Sequence, residues 1–126
     1  MEKQYIRLTR NYDIVKEKLS RGELNLKVNV GHQKKHILDS KGYTDGKSYI
    51  YGTIEDAQQL VNEYSGSGEP KFDKRGRWVH KEFVNASRLI GVYVDAETKT
   101  EAPTSRFSIH YGAKGTHIVP AKEEPS

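Results

Sequence analysis

The chain has 126 residues, 34% apolar and 30% charged, with 21 Lys and Arg against 17 Asp and Glu and a formal net charge of +4. That length holds one domain with a core of its own and leaves no room for a second, while a 10% aromatic content with eight tyrosines excludes a disordered tail. With no cysteine there are no disulfides, thiolate zinc sites or thiol nucleophiles, and the modest positive charge favours polyanionic partners.

Met1 to Arg10 alternate charge and bulk without the apolar run of a secretory signal or membrane span, so no membrane contact is expected and export would rely on another segment or a particle. Ile14, Val15 and Leu19 fall on one face among Lys and Glu and predict a short amphipathic helix over 12–21, closed by Gly22. Residues 1–22 thus read as a helical lead-in. Leu24, Leu26, Val28 and Val30 alternate with Glu23, Asn25, Lys27 and Asn29, which predicts a half-buried strand ended by Gly31. Ser40 to Gly46 is dense in turn formers, and Ser48 to Tyr51 reads as a short strand. Thr53 and Asp56 form a capping signal ahead of Ile54, Ala57, Leu60, Val61 and Tyr64, so a helix is predicted over 54–64.

After the loop at Gly66, Gly68 and Pro70 the period changes. Lys71 to Arg77, punctuated by Asp73 and Gly76, reads as a charged surface turn, and Trp78 and Phe83 as core residues. Leu89 to Val94 predicts a strand, Asp95 to Thr100 a turn, and Arg106 to Tyr111 its hairpin partner; Gly112 to Gly115 turns again into Thr116 to Val119. Helices ahead of a three-stranded antiparallel meander make an α+β fold over residues 23–122, with 123–126 a frayed tail.

Two distant segments, Lys34-Lys35-His36-Ile37 and Gly115-Thr116-His117-Ile118-Val119-Pro120, set imidazoles among cationic or turn-forming residues. Imidazole both takes and gives protons near neutrality, so the pair suits acid/base work on a phosphodiester. Cofactor-free RNA cleavage needs a base for the ribose 2′-hydroxyl, an acid for the departing 5′-oxygen and a cation for the phosphorane. His36 and His117 fill the first two roles in either order, and Lys35 the third. On the strand 104–110 the even positions Thr104, Arg106, Ser108 and His110 share one face, opposite Phe107 and Ile109. Thr104, Arg106 and His110 are therefore further catalytic candidates, although such a stripe is equally the solvated face of a half-buried strand. His32 and His80 read as surface residues. No metal is expected, because His32-x-x-x-His36 sits in a turn-rich, lysine-flanked stretch with no Glu between the two. Phosphate contacts are expected from Lys34, Lys71, Lys74, Arg75 and Arg77, and base stacking from Tyr43, Tyr49 or Trp78, with Tyr111 a further RNA contact.

Several ordered strings carry a family likeness: Gly31 through Lys35-His36-Ile37, Glu63-Tyr64-Ser-Gly-Ser-Gly68, Ile90-Gly91-Val-Tyr-Val-Asp95, Ile109-His110-Tyr111 and Gly115-Thr-His-Ile-Val-Pro120. Together they resemble the bacterial polymorphic toxin type 50 domain, also found at the carboxyl ends of phage minor head proteins. The likeness spans roughly residues 23–122 and departs from the usual pattern at Leu38-Asp39-Ser40-Lys41-Gly42-Tyr43. It implies an endoribonuclease toxin with the barnase, EndoU, colicin and RelE-like outline, amino-terminal helices on a small antiparallel sheet. It also implies an acidic immunity protein as partner, and action in the cytoplasm of a target cell after delivery, or association with a phage particle. A non-catalytic binding or structural module of a phage head protein is the competing reading.

Overall fold

The computed structural model describes residues 14–124. Its elements are α1 (Ile14–Ser20), α2 (Val30–Gln33) running into a 3-10 turn (Lys34–His36), β1 (Tyr49–Ile50) and α3 (Ile54–Tyr64), then β2 (Glu69–Phe72), β3 (Trp78–Asn85), β4 (Gly91–Val94), β5 (Glu101–Thr104), β6 (Arg106–Gly112) and β7 (Gly115–Pro120). The fold is α+β, with two antiparallel sheets in the orders β1-β4-β5 and β2-β3-β6-β7. The expectations for Met1–Arg10, for the helix start at Tyr12 and for the last two residues of the tail lie outside the described residues.

Helix α3 forms where the apolar spacing places it. Thr53 and Asp56 close a capping box, the Thr53 N–H donating to Asp56 Oδ2 at 2.8 Å. Ala57, Leu60 and Val61 turn inward and are buried, packing with Phe107, Ile109 and Ile118 in a single core. Tyr64 meets Phe107 edge-on, ring centroids 5.7 Å apart. Val15 of α1 is buried in the same core.

Three sequence expectations are corrected. Residues 23–30 do not form a strand: Leu24, Leu26 and Val28 face inward as the alternation requires, yet the segment has a single bridge, Val28 to Thr116. Side chains stand in for the missing neighbour, since Gln58 Nε2 donates to Leu26 O, Gln58 Oε1 accepts from Val28 N, and Thr116 Oγ1 donates to Asn25 O. Val30 escapes the alternation because Asn29 caps α2, its side chain accepting from His32 N at 3.1 Å.

The partner of β4 is β5, not Arg106 to Tyr111. The turn at 95–100 is tight, with Lys99 N donating to Asp95 O at 2.9 Å, and pairing resumes at once from Val94 to Glu101. Pro103 and the polar residues around it hide this strand from its composition, and Pro is tolerated because β5 is an edge. The chain then passes to the other sheet at Ser105.

Lys71 to Arg77 is only partly a turn. Asp73 to Arg77 closes a hairpin, Asp73 Oδ1 accepting from Arg75 N and Arg77 N, between β2 and the eight-residue β3. Strand β3 bulges where the register slips between Pro70 and Phe72, and His80 takes a left-handed φ of 63° there. The bulge lets Trp78 bury inward, its Nε1 donating to Lys81 O at 2.8 Å, while Phe83 turns to the other face and stays half-exposed.

The four-stranded sheet therefore has two unlike faces. Phe107, Ile109, Tyr111 and Ile118 face the core beneath α3. The strand registers set Lys81 beside His110, Phe83 beside Ser108, Asn85 beside Arg106 and His110 beside His117 on the outer face. The polar stripe of the sequence is this outer face, from Arg106 to His110.

Candidate active site

His110 and His117 are directly opposed across β6 and β7, and their rings meet at a centroid distance of 4.6 Å. One turn of helix supplies two more. His32 and His36, four residues apart, put their rings on the other flank of His117 at 5.3 and 6.3 Å, both nearly parallel to it. His32, expected at the surface, is exposed, and its ring lies beside that of His117. His80, in contrast, leans on Trp78 at 4.9 Å.

What holds α2 against β7 is Gln33, which has no solvent exposure. Its carboxamide donates to Ile118 O at 3.0 Å and accepts from Ile118 N at 2.7 Å, satisfying the free edge of β7 as another strand would. On the next turn His36 Nδ1 lies 2.8 Å from Ser48 O, and a carbonyl can only accept, so Nδ1 carries the hydrogen and Nε2 is left to exchange protons. His110 Nε2 sits 2.8 Å from Ser108 Oγ. His32, His110 and His117 line a cleft of about 270 Å³ together with Asn29 and Lys114.

Partial burial and the positive charges around them lower the pKa of His110, His117 and His36. Desolvation first, then His117, Lys81, His36 and Lys71, bring His110 down to about 3. Desolvation, His32, His36, Lys35 and Lys81 bring His117 down to about 4. His36 is lowered by desolvation and by Lys47 and Lys35, but the Ser48 carbonyl opposes this by favouring its charged form. Four lysines, Lys35, Lys47, Lys71 and Lys81, around these imidazoles make a site that is short of negative charge and gains by receiving it.

The structure thus brings together His36, His117, His110 and Lys35 from the residues singled out by sequence. It does not bring Thr104 or Arg106 there. Thr104 belongs to the other sheet, is fully buried, and donates to Ala121 O at 2.7 Å. Arg106 shares the outer face with His110 but stands two same-face steps away, roughly 13 Å along the strand. It lies 4.6 Å over the Phe83 ring and is ion-paired with Glu124. Among the tail residues, Glu123 accepts from Ser105 N and Oγ.

The phosphate candidates divide similarly. Lys71 lies 5.8 Å over Phe83 on the outer face, whereas Arg77 is paired with Asp73 at 3.0 Å and Arg75 is exposed in the same hairpin turn. Lys34 is exposed and packs beside Gly42. Tyr111 is corrected from an RNA contact to a core residue: it is buried, its hydroxyl donates to Glu82, and burial and that carboxylate push its pKa up. Trp78 is likewise buried. Sequence reading missed Gln33, Ser48, Lys47 and Lys81, whose part at the site comes only from tertiary contacts. Among the described residues no group of three or more His, Asp or Glu side chains is disposed to hold a metal ion.

The glycines of the quoted strings have packing reasons. A Cβ on Gly68 would lie 2.2 Å from Phe83 O, and one on Gly91 would lie 2.4 Å from Tyr49 O. Buried Glu82 gathers that first loop, accepting from Gly66 N at 2.7 Å and Gly68 N at 3.1 Å.

No curated protein matches the chain. The family model described as bacterial toxin 50 matches residues 28–120, a span that opens at the Val28 bridge, closes at the end of β7 and includes all four clustered histidines. With both sheets and the whole histidine cluster inside the match, the chain belongs to the bacterial toxin 50 family, and a toxin role follows from that membership.

Proposed function

We propose that the toxin acts as a metal-independent endoribonuclease whose centre is His117 with its two flanking histidines. The observation that supports this best is the cluster itself: imidazoles from β6 and the 3-10 turn lie 4.6 and 6.3 Å from that of His117 on β7, with lysines around them. A phosphodiester seated there meets the positive field of Lys35 and Lys81 and finds bases ready to accept a proton.

In this mechanism His117, uncharged above about pH 4, takes the 2′-hydroxyl proton as the 2′-oxygen attacks phosphorus. The bond to the 5′-oxygen breaks, His36 gives that oxygen a proton from Nε2, and a 2′,3′-cyclic phosphate remains. His36 suits the acid role because its Nδ1–H to Ser48 O stabilises the charged ring. His110 buttresses His117 and, through its own neutrality, does not compete for the proton. Lys35 offsets the charge gathered on the phosphorane. A basic site of this kind needs covering in the producing cell, for which an acidic immunity protein is suited.

The test is incubation of the purified protein with total RNA and a labelled oligoribonucleotide in EDTA, followed by end-group analysis. We expect cyclic-phosphate ends, with His117→Ala and His36→Ala each lowering cleavage by at least about 100-fold. The kcat/KM profile should fall below about pH 4, as the base His117 charges, and fall again at higher pH as the acid His36, held below the ordinary histidine range by burial, loses its proton. No cleavage of any RNA by folded wild type would overturn the reading in favour of a non-catalytic nucleic-acid-binding module.

A further inference from the structure

A second cavity, of about 550 Å³, shares no lining residue with the histidine cleft. Its walls include Leu38, Tyr43, Asp45, Tyr49, Lys99 and Glu101, and its size falls in the ~300–1,000 Å³ range of small-molecule sites. The backbone ties it to the histidines. Leu38 follows His36 by two residues, Tyr49 follows the Ser48 whose carbonyl holds His36, and the Ile37 to Ile50 bridge locks the two segments side by side. His36 and two walls of the cavity are thereby parts of one bridged pair of segments.

The chemistry of the walls is unlike that of the rest of the surface. Tyr43 and Tyr49 meet edge-on at 6.1 Å, and both hydroxyls are already committed as donors, to Lys47 O at 2.7 Å and to Glu101 Oε1 at 3.1 Å. The rings are thereby fixed as apolar walls. Glu101 keeps its second oxygen, and neither Asp45 nor Glu101 belongs to an ion pair among the described residues. Two carboxylates against one lysine, in a chain of net charge +4, make a cavity that repels phosphate and asks for hydrogen-bond donors.

Among the flat rings RNA offers, guanine presents two adjacent donors, N1–H and the 2-amino group, which match the two oxygens of one carboxylate. Uracil sets its single N–H between two carbonyls that a carboxylate repels. Adenine and cytosine each place an acceptor nitrogen beside their amine. We propose that this cavity is a base-recognition site selecting guanine, with Glu101 receiving the two donors, Asp45 adding negative potential, and the tyrosines contacting the ring. The inference rests on the ribonuclease reading and adds a specificity to it.

Binding is measured first, by NMR titration of the Tyr43 and Tyr49 ring signals in the His117→Ala protein with guanosine, adenosine, cytidine and uridine 3′-monophosphates. Guanosine is expected to bind about 10- to 100-fold more tightly than the others. Glu101→Gln, at an exposed position, should abolish the preference without unfolding the protein. Equal binding of all four, an undiminished preference in Glu101→Gln, or no shift of either tyrosine would overturn the proposal. So would shifts produced by an arginine-rich peptide and by none of the nucleotides, which would give the cavity to a cationic protein partner. Cleavage of oligoribonucleotides containing a single guanosine, adenosine or cytidine in a uridine tract then separates the two readings. Cutting without base preference sinks the guanine site and leaves the nuclease, whereas guanosine-selective binding without cutting sinks the nuclease and leaves the site.

Discussion

His117 shows how one residue type changes character with its neighbours. In the unfolded chain each histidine titrates near 6.5, while in the fold His110 and His117 hold out to about 3 and 4. Above pH 6.5 both states leave these rings neutral and nothing is lost. Between 6.5 and the folded values the unfolded chain takes up protons that the folded one refuses, so stability falls as the pH falls. Each ring contributes at most about 1.4 kcal/mol per pH unit, less what solvent screening removes from these partly exposed rings. Urea unfolding at pH 7.5, 6, 5 and 4 should show this decline, with a shallower slope in His110→Gln. A flat profile in wild type would mean the rings are protonated in the fold. The residues His36, His117 and Lys35 were legible because their chemistry is carried in the side chain. His32 was not, since an exposed histidine gives no sign of which other ring it stacks on.

Among the elements, α3 and the β6–β7 hairpin were legible for a simple reason: capping box, apolar stripe, alternation and turn glycines are all local. Strand β5 and the segment 23–30 were not, because one is an edge with a proline and the other satisfies its backbone with side chains of Gln58 and Thr116. Gln33 is the extreme case, a single carboxamide doing what an edge strand would do for β7. Gln33→Ala leaves Ile118 N–H and C=O without partners in a buried place, and we expect a loss of about 2–4 kcal/mol together with a drop in cleavage as α2 swings His32 and His36 away from His117. Gln33→Glu offers only acceptors and should restore little of either. A cost below about 1 kcal/mol in chemical denaturation would show that packing, not this amide pair, anchors the helix.

For the whole molecule the charge of +4 understates the field at the site, because Lys35, Lys47, Lys71 and Lys81 all act on the same histidines. Binding of single-stranded RNA to the His117→Ala protein should weaken steeply with salt, and Lys81→Gln should reduce the slope of log K against log salt by about 0.7. An unchanged slope would place Lys81 outside the phosphate path. Composition, the local periods and the ordered motifs determined by themselves the α+β class, the family likeness, the helix over 54–64 and the last hairpin, because each is written in side-chain chemistry or in spacings of a few residues. Tertiary structure alone decided which sheet each strand joins, that four histidines and not two meet, and that Thr104, Arg106 and Tyr111 serve the scaffold. Those outcomes depend on contacts beyond the reach of a local pattern, from Tyr111 with Glu82 at a separation of 29 to Gln33 with Ile118 at 85. No local pattern records them, since a buried amide selects its partner by position in space and not along the chain.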